Sequence, residues 1–181
     1  MRIAVVNVSA SNIQLAWGAR IPVKFKEKVI RICNNLDISP NFLMAAIAFE
    51  TGTTFSPSIE NAAGSGAVGL IQFMPFTATN LGTTSKALKD MTAEQQLDFV
   101  EKYFQEFHNL KSVEDVYMAI FMPLAIGKSS EFILIDRDEK PIDYEQNKIL
   151  DIDGDGKITK GEAATRVTEM LYLGLKQENM G

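Results

Sequence analysis

Apolar residues recur at Val23, Val29, Ile30, Cys33 and Leu36 with Lys24, Lys26, Glu27, Lys28 and Arg31 between them. This spacing predicts an amphipathic helix ending near Asn34-Asn35. Ser39-Pro40 supplies an N-cap and a proline at the first helical position, so a second helix should start there. It carries Phe42, Leu43, Ala46, Ile47 and Phe49 and ends at Thr51, where Gly52 can take the left-handed conformation. The next stretch, 53–75, is rich in Gly, Ser and Pro and alternates weakly, which predicts a loop with short strands. Pro75 opens a short helix closed by Gly82. Thr92 and Gln95 form a capping-box pattern before a helix carrying Leu97, Val100, Phe104 and Phe107, to about His108. Ser112 with Asp115 caps another, bearing Val116, Ala119 and Ile120. "EFILID" (131–136) predicts a strand and "RDEKP" a turn, and two helical pieces, Tyr144–Leu150 and Gly161–Lys176, flank an acidic loop.

The pattern describes one mainly helical domain over residues 1–181 with a small β element, and no repeat or linker interrupts it. A composition of 46% hydrophobic and 23% charged residues is that of a globular chain. The longest nearly unbroken apolar run, 119–127, is far shorter than the roughly 20 residues a bilayer-spanning helix needs, so no membrane insertion is expected. The N-terminal "MRIAVVNVSASN" is weak for an export signal and is expected to belong to the mature protein. A net charge of −5, with no basic run among the 18 Lys and Arg, argues against nucleic acid as a partner. Cys33, the only cysteine, falls on the apolar face of its helix and reads as a core thiol; His108 has no second His or Cys to share a transition metal.

The loop "DIDGDGKITKGE" (151–162) fits the EF-hand calcium pattern. Asp151, Asp153 and Asp155 stand at positions 1, 3 and 5, Gly156 allows the turn, Lys157 offers a carbonyl, Thr159 takes position 9 and Glu162 can bind through both oxygens. Oxygen donors on a flexible loop suit Ca2+ better than magnesium. One loop without a partner suggests a structural site that ties the last 40 or so residues to the core. Thr159 and Glu162 also make a capping box, so an ordinary acidic turn is the competing reading.

Glu50 ends an otherwise apolar helical segment. A helix C-terminus carries partial negative charge and apolar neighbours remove solvation, and both raise a carboxyl's pKa. A carboxyl protonated near neutrality can hand its proton to a glycosidic oxygen. After Glu50 come Phe55-Ser56-Pro57, Gly66-Ala67, Gly69-Leu70-Ile71-Gln72, Pro75 and Thr77-Ala78. This run of about 35 residues resembles the lysozyme-like group of soluble lytic transglycosylases and goose-type lysozymes, and the later stretches look most like phage-encoded members carrying an EF-hand loop.

The resemblance implies an α+β lysozyme-like fold, with the small β element lining a substrate groove. It implies cleavage of the β-1,4 bond between N-acetylmuramic acid and N-acetylglucosamine in peptidoglycan by Glu50 as acid and then base. The lytic outcome is a 1,6-anhydro ring; the goose-type outcome is hydrolysis, and the motif does not choose between them. A wall-binding module without activity is the rival from another class. Glu60 is the only nearby second acid, and the resembling transglycosylases work with one.

Thr51 stands where the family commonly has Ser and meets either substrate or its own helix backbone. Gln72 matches a groove-lining glutamine, and Gly66 and Gly69 allow close approach of sugar or simply tight turns. The family's Ala-Tyr-Asn-Ala-Gly motif is not intact: the comparable stretch is Ile120-Phe121-Met122-Pro123-Leu124-Ala125, so Tyr117 and Tyr144 are the candidates for the substrate tyrosine. A monomer is the family expectation. Synthesis in the cytoplasm followed by action on the wall, as lysin, virion component or remodelling enzyme, is the default route.

Overall fold

A computed structural model describes residues 14–62 and 64–181. The N-terminal stretch read as part of the mature chain lies outside them. Helix α1 (Val23–Leu36) buries Phe25, Val29, Ile32 and Cys33 and ends one residue past Asn35, where Asp37 takes the left-handed conformation (φ 54°) and donates its N–H to Cys33 O. Helix α2 (Pro40–Glu50) buries every residue from Leu43 to Ala48. A helix apolar on all sides has to lie in the centre, and α2 does: α1, α6 (Val113–Phe121) and α8 (Lys160–Gly174) pack around it. Ser39 holds the N-cap position of α2, but its hydroxyl caps nothing.

Helix α3 (Pro75–Asn80) closes at Gly82 as expected, and α4 (Ser85–Lys89) is a five-residue addition capped by the Thr84 hydroxyl. Both bonds of the Thr92–Gln95 capping box form at the start of α5 (Ala93–Phe104). That helix stops four residues short of His108, and a turn carries Phe107 back onto the ring of Phe104. Helix α6 begins with the Ser112 hydroxyl accepting from Asp115 N, and ends where Met122 takes the extended backbone required before Pro123.

The strand expected within 131–136 forms, but the short strands expected in 53–75 do not. The described residues of 53–75 form isolated bridges, Glu60 with Val68 and Val68 with Phe73, because the segment's backbone is spent on left-handed turns. The regular sheet is β1 (Ile133–Asp136) paired antiparallel with β2 (Lys157–Thr159), which lies inside the acidic loop. Between them runs α7 (Pro141–Asn147) with a short turn over Lys148–Leu150.

Helix α8 is anchored at its start by a buried ion pair. Lys160, 2% exposed, reaches Asp115 at 2.6 Å and Lys128 O at 2.8 Å, while Asp115 also accepts from Gly127 N and the Ser112 hydroxyl. Breaking one partner of such a pair leaves a buried charge uncompensated, at about 3–5 kcal/mol. Among the described residues no helix is long and apolar enough to cross a membrane.

Candidate active site

Glu50 is the last residue of α2. Its carboxyl forms no hydrogen bond or ion pair among the described residues, and burial pushes its pKa from 4.5 up to about 7. The chain then turns sharply: Gly52, Thr53 and Phe55 all have positive φ, at 55°, 64° and 53°. Two of these are not glycine, and such residues cost on the order of 1–3 kcal/mol each unless the surroundings hold them. The Thr51 hydroxyl supplies the hold by donating to Ile47 O (2.7 Å) and accepting from Phe55 N (3.1 Å), and the Phe55 ring is buried near Trp17. Thr51 is fully buried, so the expectation that it touches substrate is replaced by a role in shaping the turn behind Glu50.

The loop that follows is held by a residue the sequence reading passed over. Gln96, on α5, is fully buried; its Oε1 accepts from Leu70 N (2.6 Å) and its Nε2 donates to Pro57 O (3.0 Å) and Leu88 O (2.9 Å). Gly69 exists for this amide: a Cβ there would lie 2.3 Å from Gln96 Oε1, and φ is +81°. The close approach expected at Gly69 is therefore by Gln96 and not by sugar. Gly66 is exposed with φ +77°, against the Pro75 ring. Gln72 is half-buried with φ 49°, and its Nε2 is bonded to Gly69 O (3.2 Å) and Ile59 O (3.4 Å). The visible signal for Gln96 was a polar amide four residues before Val100, on the apolar stripe of α5.

Tyr117, on α6, joins these parts. Its ring meets Phe49 edge-on at 5.4 Å and stacks on Phe121 at 5.6 Å, and no hydrogen bond holds its hydroxyl among the described residues. Burial first, and then the neighbouring Glu50 carboxyl, push the phenol above its ordinary value, so it stays protonated beside the acid. One turn along α6, Ile120 lines a hollow with Gln72, Met74, Thr77 and Tyr103, and Thr77 and Tyr103 continue it toward Phe76 and Asn80. On the other side Phe49 faces Ile149, Leu150 and Arg166. Glu60 is exposed and paired with Lys89 at 2.8 Å, well occupied as an ion-pair partner.

A helix-terminal carboxyl, left unpaired and pushed up by burial, with a tyrosine and a glutamine-bearing loop along one helix face, is the site. The family model of the transglycosylase SLT domain matches residues 29–119, from α1 through α6. The chain belongs to this family. The SLT enzymes are murein-cleaving, of the lytic transglycosylase and lysozyme-like kind, so this chain is an enzyme and peptidoglycan is its substrate. No curated protein matches it.

Beyond the matched SLT region lies the acidic loop. Asp151, Asp153 and Asp155 each bring one carboxylate oxygen to within 4.8 Å of the others, and none of the three is in an ion pair among the described residues. Their other bonds are to N–H groups of Gly154, Asp155, Gly156 and Lys157 within the loop. Glu162 accepts from Thr159 N and the Thr159 hydroxyl, with its second oxygen on Ile152 N. Converging, unneutralised oxygen donors are a set that fits a hard cation. The Tyr144 hydroxyl donates to Asp151 at 2.5 Å, and this bond first of all holds the Asp151 carboxyl below its ordinary value. Tyr144 therefore serves the loop, which corrects its candidacy as the substrate tyrosine and leaves Tyr117.

Proposed function

We propose that this SLT enzyme cleaves the β-1,4 bond between N-acetylmuramic acid and N-acetylglucosamine, with Glu50 as the only catalytic carboxyl. The observation that carries this is the unpaired Glu50 carboxyl, pushed up by burial to about 7 at the end of α2. Protonated Glu50 donates to the bridging oxygen as the anomeric C–O bond breaks, and the substrate's N-acetyl oxygen stabilises the cation. The resulting carboxylate takes the proton of the sugar's 6-hydroxyl, whose oxygen closes on the anomeric carbon. A 1,6-anhydro ring forms and Glu50 is reprotonated.

Among the described residues Glu60, the nearest second acid along the chain, is bound to Lys89, which supports this single-acid route over one using a carboxylate nucleophile. In this reading Tyr117 hydrogen-bonds substrate near Glu50 and Gln72 lines the groove beyond it, supported by the nearness of Tyr117 to Glu50 and by the hollow that Gln72 shares with Ile120. Hydrolysis by a Glu50-activated water is the alternative outcome. Mass analysis of digested peptidoglycan separates the two: the expected products are lighter by one water than hydrolysed ones. Products at the hydrolysed mass would replace the lytic reading.

We further propose that Asp151, Asp153, Asp155, the Lys157 carbonyl, Thr159 and Glu162 hold one structural Ca2+. The ion would neutralise the loop's carboxylates and brace the junction of β2 with α8. This loop is also the ground for grouping the chain with phage-encoded members of the family, acting on the wall after synthesis in the cytoplasm.

A further inference from the structure

Arg166 is on α8, outside the region the SLT family shares. It is exposed and makes no ion pair among the described residues. Two adjoining hollows have it as their basic group. The first, about 210 Å³, is walled by Phe49, Ile149, Leu150 and Arg166. The second, about 370 Å³, shares Ile149, Leu150 and Arg166 and continues past Ile152 toward the acids Glu162 and Glu169. Phe49 immediately precedes Glu50 on α2 and packs on Tyr117, so the first hollow shares a wall with the neighbourhood of the acid. Ile149 and Ile152 are 79% and 60% exposed, an apolar rim that nothing in the chain covers among the described residues.

Resting on the function proposed above, we infer that Arg166 and the apolar rim at Ile149 and Ile152 bind the peptide stem of the muramic acid residue next to the cleaved bond, with the guanidinium on a stem carboxylate. The glycan backbone is uncharged and hydroxyl-rich, and has no use for this combination. The stem has both parts needed: small apolar side chains for the rim and carboxylates that match the fork of a guanidinium. Glu169, at the far end, repels a second carboxylate and suits the amine of a diamino acid further along the stem. The segment that walls the groove thus lies outside the matched SLT region and reads the peptide, while the matched helices act on the sugar.

The test uses the full-length protein on uncross-linked glycan strands bearing intact stems, and on the same strands after carbodiimide coupling of their carboxylates to methylamine. On the native strands Arg166→Ala is expected to raise KM roughly three- to five-fold, the range of a solvent-exposed charge pair, and Arg166→Lys is expected to recover part of that. On the amidated strands wild type and Arg166→Ala should have the same KM, since the charge that Arg166 reads is gone. Equal KM values on native strands, or an undiminished penalty on amidated ones, would overturn the inference while cleavage by wild type leaves the function standing. Failure of the wild type to cleave either strand would overturn the function and this inference with it.

Discussion

At the residue scale, Glu50 makes stability and activity depend on pH in a defined direction. Its folded pKa, about 7, is above the ordinary 4.5. Below about pH 4.5 the carboxyl is protonated in folded and unfolded chains alike, and pH has no leverage through it. Between the two values the unfolded chain releases a proton that the native state keeps, so folding loses stability at about 1.4 kcal/mol per pH unit. Above pH 7 the loss levels off at no more than about 3 kcal/mol. Glu50→Gln, which keeps the shape without the charge, should therefore match wild type in melting temperature at pH 4 and exceed it at pH 8, while abolishing wall lysis. Thermal melts at both pH values with a turbidity assay check this, and a variant that lyses, or a stability gap that is the same at both pH values, contradicts it. Wild-type lysis should decline as pH rises through 7, as the acid form is lost.

Glu50 stood out through the glycine, glutamine and proline spacing behind it, since a glutamate in the last turn of a helix is otherwise commonplace. Thr51 was left open between substrate and its own helix backbone, and Tyr144 was misjudged, because hydroxyl partners are set by tertiary position. Nothing in the chain order decides that the Thr51 hydroxyl turns back to Ile47 O or says that Tyr144 leans on Asp151.

At the scale of elements, the loop between α2 and α3 has little regular structure and depends on α5 for its shape. Gln96→Leu should leave Leu70 N, Pro57 O and Leu88 O without their partner in a buried site. A stranded buried polar group costs about 1–3 kcal/mol, and loop relaxation will recover part of the sum, so a loss of about 3 kcal/mol in urea unfolding is expected. Activity should fall further than stability explains under conditions where the variant is fully folded, because Gln72 rides on the same loop. A denaturation midpoint equal to wild type would show that the loop holds itself. Helix starts were readable from a cap or proline at Thr92, Ser112, Pro40 and Pro75, but not at Pro141, which opens α7 three residues before the expected Tyr144. The helix α4 was not readable, since five residues carry no period. Nor was β2, whose three residues read as part of a metal-loop motif and pair with a strand over twenty residues earlier.

At the scale of the whole molecule, the matched SLT helices and the C-terminal segment are tied together by α8, which packs on both α2 and α6. Calcium bound to the acidic loop would stabilise the fold by about 2.7 kcal/mol at a free concentration 100 times its Kd. A chelator should lower the melting temperature accordingly, and Asp151→Asn should remove that response; a melting temperature indifferent to both would remove calcium from the account. The mainly helical class and the acidic loop could be read from periodicity and motif. The strand at 131–136 could be read as well, but its partner β2 could not, because strand pairing is decided by what the folded chain brings alongside.

That pairing limits how the acidic loop can communicate. Calcium-responsive proteins of the paired type join two loops through their short central strands, each strand completing the other. Here Ile158 already has Ile135 of the same chain opposite it, and is wholly buried. A visiting loop from another copy or another protein would have to evict β1 first, so a metal ion bound there would fasten this molecule internally and recruit no second one along that edge.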